Sequence, residues 1–97
     1  MDLRLKDKIA LVTGSSKGLG YATALGLAKE CCKVAVNGRD EERVKQAVEK
    51  IKKETSTQVI GLVGDASLSD MPATLIQQTV EAFGGLYILI TNAGGPP

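Results

Sequence analysis

The apolar positions of this chain fall into short blocks that alternate between strand-like and helix-like spacing. Ile9-Ala10-Leu11-Val12 is apolar on both faces, as a strand buried within a parallel sheet requires, and Thr13-Gly14-Ser15-Ser16 stops it. From Leu19 to about Glu30 small and apolar residues dominate (Ala22, Ala24, Leu25, Leu27, Ala28), which predicts a helix packed closely on its neighbour. Lys33 to Asn37 predicts a second strand carrying Val34 and Val36, ended by Gly38. Val44, Ala47, Val48 and Ile51 then recur at i, i+3, i+4 and i+7, while Lys45, Glu49, Lys50, Lys52 and Lys53 take the opposite face. That is an amphipathic helix with Asp40 as its N-cap and with Arg43 and Lys50 exposed. Gln58 to Val63 predicts a third strand, closed by Gly64-Asp65. Ser69 or Asp70 caps a third helix with the stripe Leu75, Ile76, Thr79, Val80 and Phe83, which stops at Gly84-Gly85. Tyr87 to Thr91 predicts a fourth strand, followed by Asn92-Ala93-Gly94-Gly95-Pro96-Pro97.

The order is therefore β-α-β-α-β-α-β with short connections, which implies parallel strands joined by right-handed helical crossovers in an open α/β sheet. Ligands of such sheets bind off the carboxyl ends of the strands, where the strand order reverses. The loops at that edge are Thr13–Gly20, Asn37–Asp40, Gly64–Ser67 and Asn92–Pro97, all rich in small or polar residues. They converge on one crevice.

Composition narrows what the crevice can do. A chain of 97 residues holds one small domain at most, and such a domain buries only about 60–65% of the surface its unfolded form exposes. There is no histidine, so no Ser-His-Asp triad, Cys-His pair or imidazole metal site can form. A net charge of +1, from 12 basic against 11 acidic residues, argues against an electrostatically driven nucleic-acid or membrane binder. The longest apolar run, Leu86 to Ile90, is far short of a bilayer span, and the opening Met-Asp-Leu-Arg-Leu-Lys has no signal-peptide core, so a cytoplasmic location is expected. The two cysteines, Cys31 and Cys32, are adjacent, so they staple no loop and make no zinc site.

Candidate chemistry starts at Thr13-Gly14-Ser15-Ser16-Lys17-Gly18-Leu19-Gly20, between the first strand and the first helix. Gly14 allows a sharp turn out of the strand, Gly18 lets backbone approach a pyrophosphate, and Gly20 lets the helix sit close on the sheet. Free N–H groups at the helix start, together with its dipole, stabilise phosphate charge. The spacing is not that of a mononucleotide P-loop, because Gly18 is followed by Leu19-Gly20 rather than Lys-Ser/Thr. It is not Gly-x-Gly-x-x-Gly either, since it runs Gly14-x-x-x-Gly18-x-Gly20.

Threonine-glycine followed by this wider spacing resembles the short-chain dehydrogenase/reductase family, in its classical branch, and looks most like the 3-oxoacyl-carrier-protein reductases. The extended branch places glycine where Lys17 stands. The resemblance runs over the whole chain. It implies the N-terminal half of a Rossmann-like, doubly wound parallel sheet with strand order 3-2-1-4, so that residues 1–97 would be a partial cofactor-binding domain. Asp65-Ala66 resembles the family's adenine-contacting aspartate and its neighbour. Asn92-Ala93-Gly94 resembles the last three residues of its Asn-Asn-Ala-Gly signature, with Thr91 in place of the leading asparagine. Tyr87 stands where aspartate is frequent, and Cys31 stands where the helix-ending glycine is usual. A left-handed cysteine there would cost about 1 kcal/mol. Taken singly, Asp65 also suits an ordinary turn and Asn92 a loop cap. Their joint placement on one sheet edge is what points to a site. The cofactor-binding set implied is Gly14, Ser15, Ser16, Lys17, Gly18, Leu19, Gly20, Arg39, Asp65, Ala66, Asn92, Ala93 and Gly94.

Between the two nicotinamide dinucleotides, a free ribose 2′-OH is usually gripped by a carboxylate at the end of the second strand. Here Gly38 occupies that point and Arg39 follows. Arg39 can meet a 2′-phosphate bidentately and Lys17 can add a second charge, which favours NADP over NAD. The alternative is that both are solvated surface charges. The chemistry that the resemblance implies is hydride exchange between the cofactor and a carbonyl/alcohol pair, such as a 3-oxoacyl thioester, through a serine and a Tyr-x-x-x-Lys pair. Only Tyr21 and Tyr87 are present, with Leu25 and Thr91 four residues on, so neither is the catalytic tyrosine and no catalytic residue is assigned. The chain thus reads as the cofactor-binding portion of a longer, homo-oligomeric oxidoreductase and is itself expected to be inactive. A non-catalytic nucleotide-binding module and a self-associating fragment are the alternatives.

Overall fold

A computed structural model describes residues 5–92 of the chain. The elements run β1 (Ile9–Val12), α1 (Gly18–Lys29), β2 (Lys33–Gly38), α2 (Glu41–Thr55), β3 (Val59–Val63), α3 (Met71–Phe83) and β4 (Ile88–Ile90). The strands form one parallel sheet, as the alternation of elements requires, in the order β3-β2-β1-β4 that the family resemblance implies. β1 lies at its centre, with Ala10 beside both Val34 and Ile88.

Strand alternation divides the core into two layers. Val12, Val34, Val36 and Val59 point to one face, where they meet Ala24 and Ala28 of α1 and the stripe Val44, Ala47, Val48 and Ile51 of α2. Leu11 and Ala35 point to the other face, against Leu75 of α3. Small residues let α1 lie close, with Gly20, Ala24 and Ala28 buried at successive turns. The polar face of α2 is exposed as its sequence pattern requires, and Asp40 caps it by accepting bonds from the amides of Glu42 (2.9 Å) and Arg43 (3.2 Å).

Several boundaries differ from the sequence expectation. Helix α3 begins at Met71 with Asp70 as N-cap, but the Asp70 side chain makes no capping bond; Pro72 in the first turn, which has no amide hydrogen, reduces the need for one. Val80 is 41% exposed rather than part of a buried stripe, because the apolar face of α3 rests on the sheet through Leu75 and Thr79 and leaves its flank outside. Tyr87 lies just before β4 rather than within it, with its ring 4.8 Å from the Lys8 ammonium.

Helix α1 ends on a Schellman motif, in which the Cys31 amide donates to the Ala28 carbonyl (2.9 Å) and the Cys32 amide donates to the Leu27 carbonyl (3.1 Å). Cys31 therefore holds the left-handed position, at φ 68°, with its side chain exposed, whereas Cys32 is buried. Because an exposed thiol contributes no packing there, Cys31→Gly should stabilise the chain by about 1 kcal/mol. The urea midpoint should rise at unchanged m-value; an unchanged or lower midpoint would show that the left-handed cysteine carries no strain.

Candidate functional site

The carboxyl ends of the four strands open into a cleft of about 820 Å³. Its floor is set by a turn that the chain builds from buried polar bonds. Leaving β1, the Thr13 amide still donates to the Ile90 carbonyl (2.9 Å), which ties the turn to β4. Gly14 then adopts φ 58°, a left-handed conformation, and Gly18 adopts φ 63° at the other end of the loop.

Asn37, the last but one residue of β2, is only 1% exposed and holds this turn in place. Its side-chain oxygen accepts from the Gly14 amide (3.0 Å), and its side-chain nitrogen donates to the carbonyls of Leu62 (3.0 Å) and Gly64 (3.1 Å). One amide group thus joins the β1 turn to the end of β3. The backbone of Asn37 is equally occupied: its amide donates to the Ser15 hydroxyl (2.9 Å) and its carbonyl accepts from the Ser15 amide (2.6 Å). On the opposite side, the Asn92 side chain donates to the Gly14 carbonyl (3.1 Å) and its amide donates to the Thr13 hydroxyl (3.0 Å).

This scaffold sorts the residues expected to bind the cofactor. Gly14, Ser16, Lys17, Gly18, Leu19, Arg39, Asp65, Ala66 and Asn92 all line the cleft. Ser15 and Gly20 do not. Ser15 is fully buried, with its hydroxyl donating to the Val12 carbonyl (2.6 Å), so it supports the turn from beneath. A side chain on Gly20 would collide with the Gly14 carbonyl oxygen and with the Asn92 side chain, so this glycine allows α1 to approach the turn itself as well as the sheet. Ala93 and Gly94 lie outside the described residues.

Sequence reasoning missed Asn37 and Ser67. The signal for Asn37 was one uncharged polar residue closing an otherwise apolar strand. Ser67 donates both its hydroxyl (2.6 Å) and its amide (2.9 Å) to one Asp65 carboxylate oxygen. These bonds, with a further attraction from Arg39, hold the Asp65 carboxyl below the usual carboxylate range, so it remains an anion and an acceptor at neutral pH.

What the cleft can hold follows from the start of α1. No side chain caps this helix, and its first turn contains no acidic residue, unlike α2, which has both Asp40 and the pair Glu41 and Glu42. Helix geometry leaves the first-turn amides of α1 without backbone acceptors, at the positive end of the helix dipole and beside Lys17. Beyond Gly18, the space that a Cβ would enter is open. This donor set fits a phosphate-bearing ligand. Among the described residues no group of metal-ligating side chains occurs, and no helix is long and apolar enough to cross a membrane.

The fold and cleft define a nucleotide-binding domain of the Rossmann type. A model of the short chain dehydrogenase family matches residues 8–97, and the chain belongs to that family. Glucose 1-dehydrogenase of Gluconobacter oxydans is 41% identical over 91 residues, covering 94% of this chain and 34% of the relative. Tropinone reductase-like 3 of Erythroxylum coca is 35% identical over 94 residues, covering 97% of this chain and 36% of the relative. An L-sorbose reductase from Gluconobacter frateurii, solved with NADPH and L-sorbose, is similar with a TM-score of 0.94 at 31% identity, covering 100% of this chain and 37% of that one. The chain spans about a third of the length of these relatives.

Removing the Asn37 side chain tests whether the cleft depends on it. Asn37→Ala leaves the Gly14 amide and the carbonyls of Leu62 and Gly64 without their partner, and it should lower stability by about 3 kcal/mol, read by urea unfolding. Amide exchange at Gly14 should accelerate more than at Ile51, which is buried in the other layer. Equal acceleration at both sites would mean that Asn37 contributes only to global stability.

Proposed function

We propose that the chain is the cofactor-binding portion of an NADP-dependent oxidoreductase that interconverts a carbonyl and an alcohol. The observation that carries this reading is the uncapped start of α1 opening into a cleft whose wall presents Lys17 and Arg39 beside Gly38. The α1 amides would take the pyrophosphate, Lys17 and Arg39 the 2′-phosphate, and Asp65 with Ala66 the adenine edge. Gly38 adds to the preference. The space where its side chain would begin holds the Ser16 hydroxyl, 2.6 Å from an ideal Cβ, so a carboxylate gripping a ribose 2′-OH would have to displace the Ser16 side chain. When bound, the nicotinamide supplies or accepts the hydride. This chain's residues bind and orient the dinucleotide.

The L-sorbose reductase was solved with NADPH, and a similar structure is of an NADPH dependent reductase involved in bacilysin biosynthesis, which supports the same choice of cofactor. The substrate class is a small carbonyl/alcohol pair. A 3-oxoacyl thioester is the member favoured by the motif resemblance, and the sugar-directed names among the relatives support a polyol or sugar as well. The proton-transferring tyrosine and lysine, and the interfaces of a homo-oligomer, would belong to sequence outside these residues, in a cytoplasmic protein.

Titrating NADPH and NADH against the chain at matched ionic strength tests the reading. NADPH should bind at least about tenfold more tightly, the equivalent of one charge-assisted contact to the extra phosphate, and the chain alone should not oxidise NADPH in the presence of a carbonyl substrate. Equal affinities would refute the NADP assignment, and turnover would refute the absence of catalytic residues.

A further inference from the structure

Ser16 and Lys17 form a wall shared by two hollows. On one side is the nucleotide cleft; on the other, a second hollow of about 570 Å³ lies between α1 and α2. It is bounded by Ser16, Lys17, Tyr21, Arg43, Gln46 and Lys50. Three of these are cations, and no carboxylate is among its lining residues. Asp40 accepts from the amides at the start of α2, and Glu54, near the opposite end of that helix, acts on Tyr21. Burial first, and Glu54 second, push the Tyr21 hydroxyl above its ordinary range, so it stays a neutral donor. Such a hollow is built for an anion.

The direction of the side chains identifies which cation acts. Arg43, Gln46 and Lys50 follow one another along one side of α2, next to its buried stripe. Helical side chains lean toward the N-terminus of their helix, which for α2 means toward Gly38, Arg39 and the carboxyl edge of the sheet. Arg43 stands in the first turn, so its guanidinium is delivered toward the wall that Lys17 shares with the nucleotide cleft. Lys50 starts roughly 10 Å further down the helix and acts there only as a distant charge.

We propose that Arg43 is a further specificity-determining residue, closing the second hollow's wall around the cofactor's 2′-phosphate from the side of α2. The inference rests on the NADP reading and adds to Lys17 and Arg39 a cation from a rigid helix. A planar guanidinium held by a helix loses less freedom on binding than a lysine ammonium does, and it can meet two phosphate oxygens at once. In the absence of the phosphate, the three cations repel one another, which strengthens the discrimination against a dinucleotide that lacks it.

The test is a set of binding titrations on the chain carrying Arg43→Ala, Arg43→Lys or Lys50→Ala. Both sites are exposed, and circular dichroism checks that each variant retains its fold. Arg43→Ala should weaken NADPH by about tenfold and NADH by less than about twofold, with Arg43→Lys in between and Lys50→Ala changing NADPH by less than about threefold. Adenosine 2′,5′-bisphosphate should lose affinity for Arg43→Ala in parallel with NADPH, whereas adenosine 5′-monophosphate should not. If the unaltered chain prefers NADPH but Arg43→Ala leaves that preference intact, or weakens both dinucleotides equally, the role of Arg43 is overturned and the NADP reading stands. If the unaltered chain binds NADPH no better than NADH, or binds neither, both are overturned.

Discussion

The side chain of Asn37 is the constraint on which the cleft depends. Three strand ends and one glycine turn meet at it, through one accepted and two donated bonds of a side chain that is almost wholly buried. A buried primary amide is suited to this task because it offers an acceptor and two donors from one plane. A carboxylate of the same shape could not donate to the Leu62 and Gly64 carbonyls, and an apolar residue would leave all three backbone groups unpaired at about 1–3 kcal/mol each. The Ser15 hydroxyl completes the arrangement from the β1 side, donating to Val12 and accepting from the Asn37 amide. The turn is thus fixed from below by buried polar groups.

This division explains why the same short loop can be rigid and yet open to a ligand. Its lower residues, Thr13, Ser15 and Gly20, are buried, while Lys17, Gly18 and Leu19 are exposed above them. Asn92 clamps the Gly14 carbonyl from β4, and Gly20 allows that clamp because no side chain intervenes. The amides of the first turn of α1 are consequently held in place before any phosphate arrives, so binding need not order them. Helix α2, whose start is satisfied by Asp40, shows the contrast: it is a packing element, and its amides are not offered to a ligand.

Much of this was legible in the residues. The short apolar blocks and the period-3.6 stripes mark the elements, because in a parallel sheet each element must bury a recognisable face, and the family resemblance supplies the strand order. The left-handed Cys31 was visible as a non-glycine at a helix-ending position, and the glycine turn as a spacing. What was not legible came from contacts distant in sequence. Asn37 bonds to residues 23 to 27 positions away, and no local pattern distinguishes a strand-ending asparagine from a keystone. Ser15 lies in the motif yet beneath the turn, since a turn has an inside as well as an outside. Val80 fits the helical stripe, but α3 rests on the sheet through Leu75 and Thr79, and exposure on its flank depends on what covers that flank.

The same packing bears on the proposed choice of cofactor. It is usual to assign that choice to surface charge, which salt screens over about 10 Å. Here crowding at position 38 also bears on it: the Ser16 hydroxyl stands 2.6 Å and Val44 Cγ2 3.0 Å from where a Cβ would begin. Ser16 belongs to the turn whose preceding residues are fixed by Asn37, and Val44 belongs to the buried stripe of α2. Installing an acid at the end of β2 would therefore require the Ser16 and Val44 side chains to give way beside the start of α1. The proposed discrimination against a 2′-OH grip thus adds local crowding at Gly38 to the charge of the basic residues along the rim.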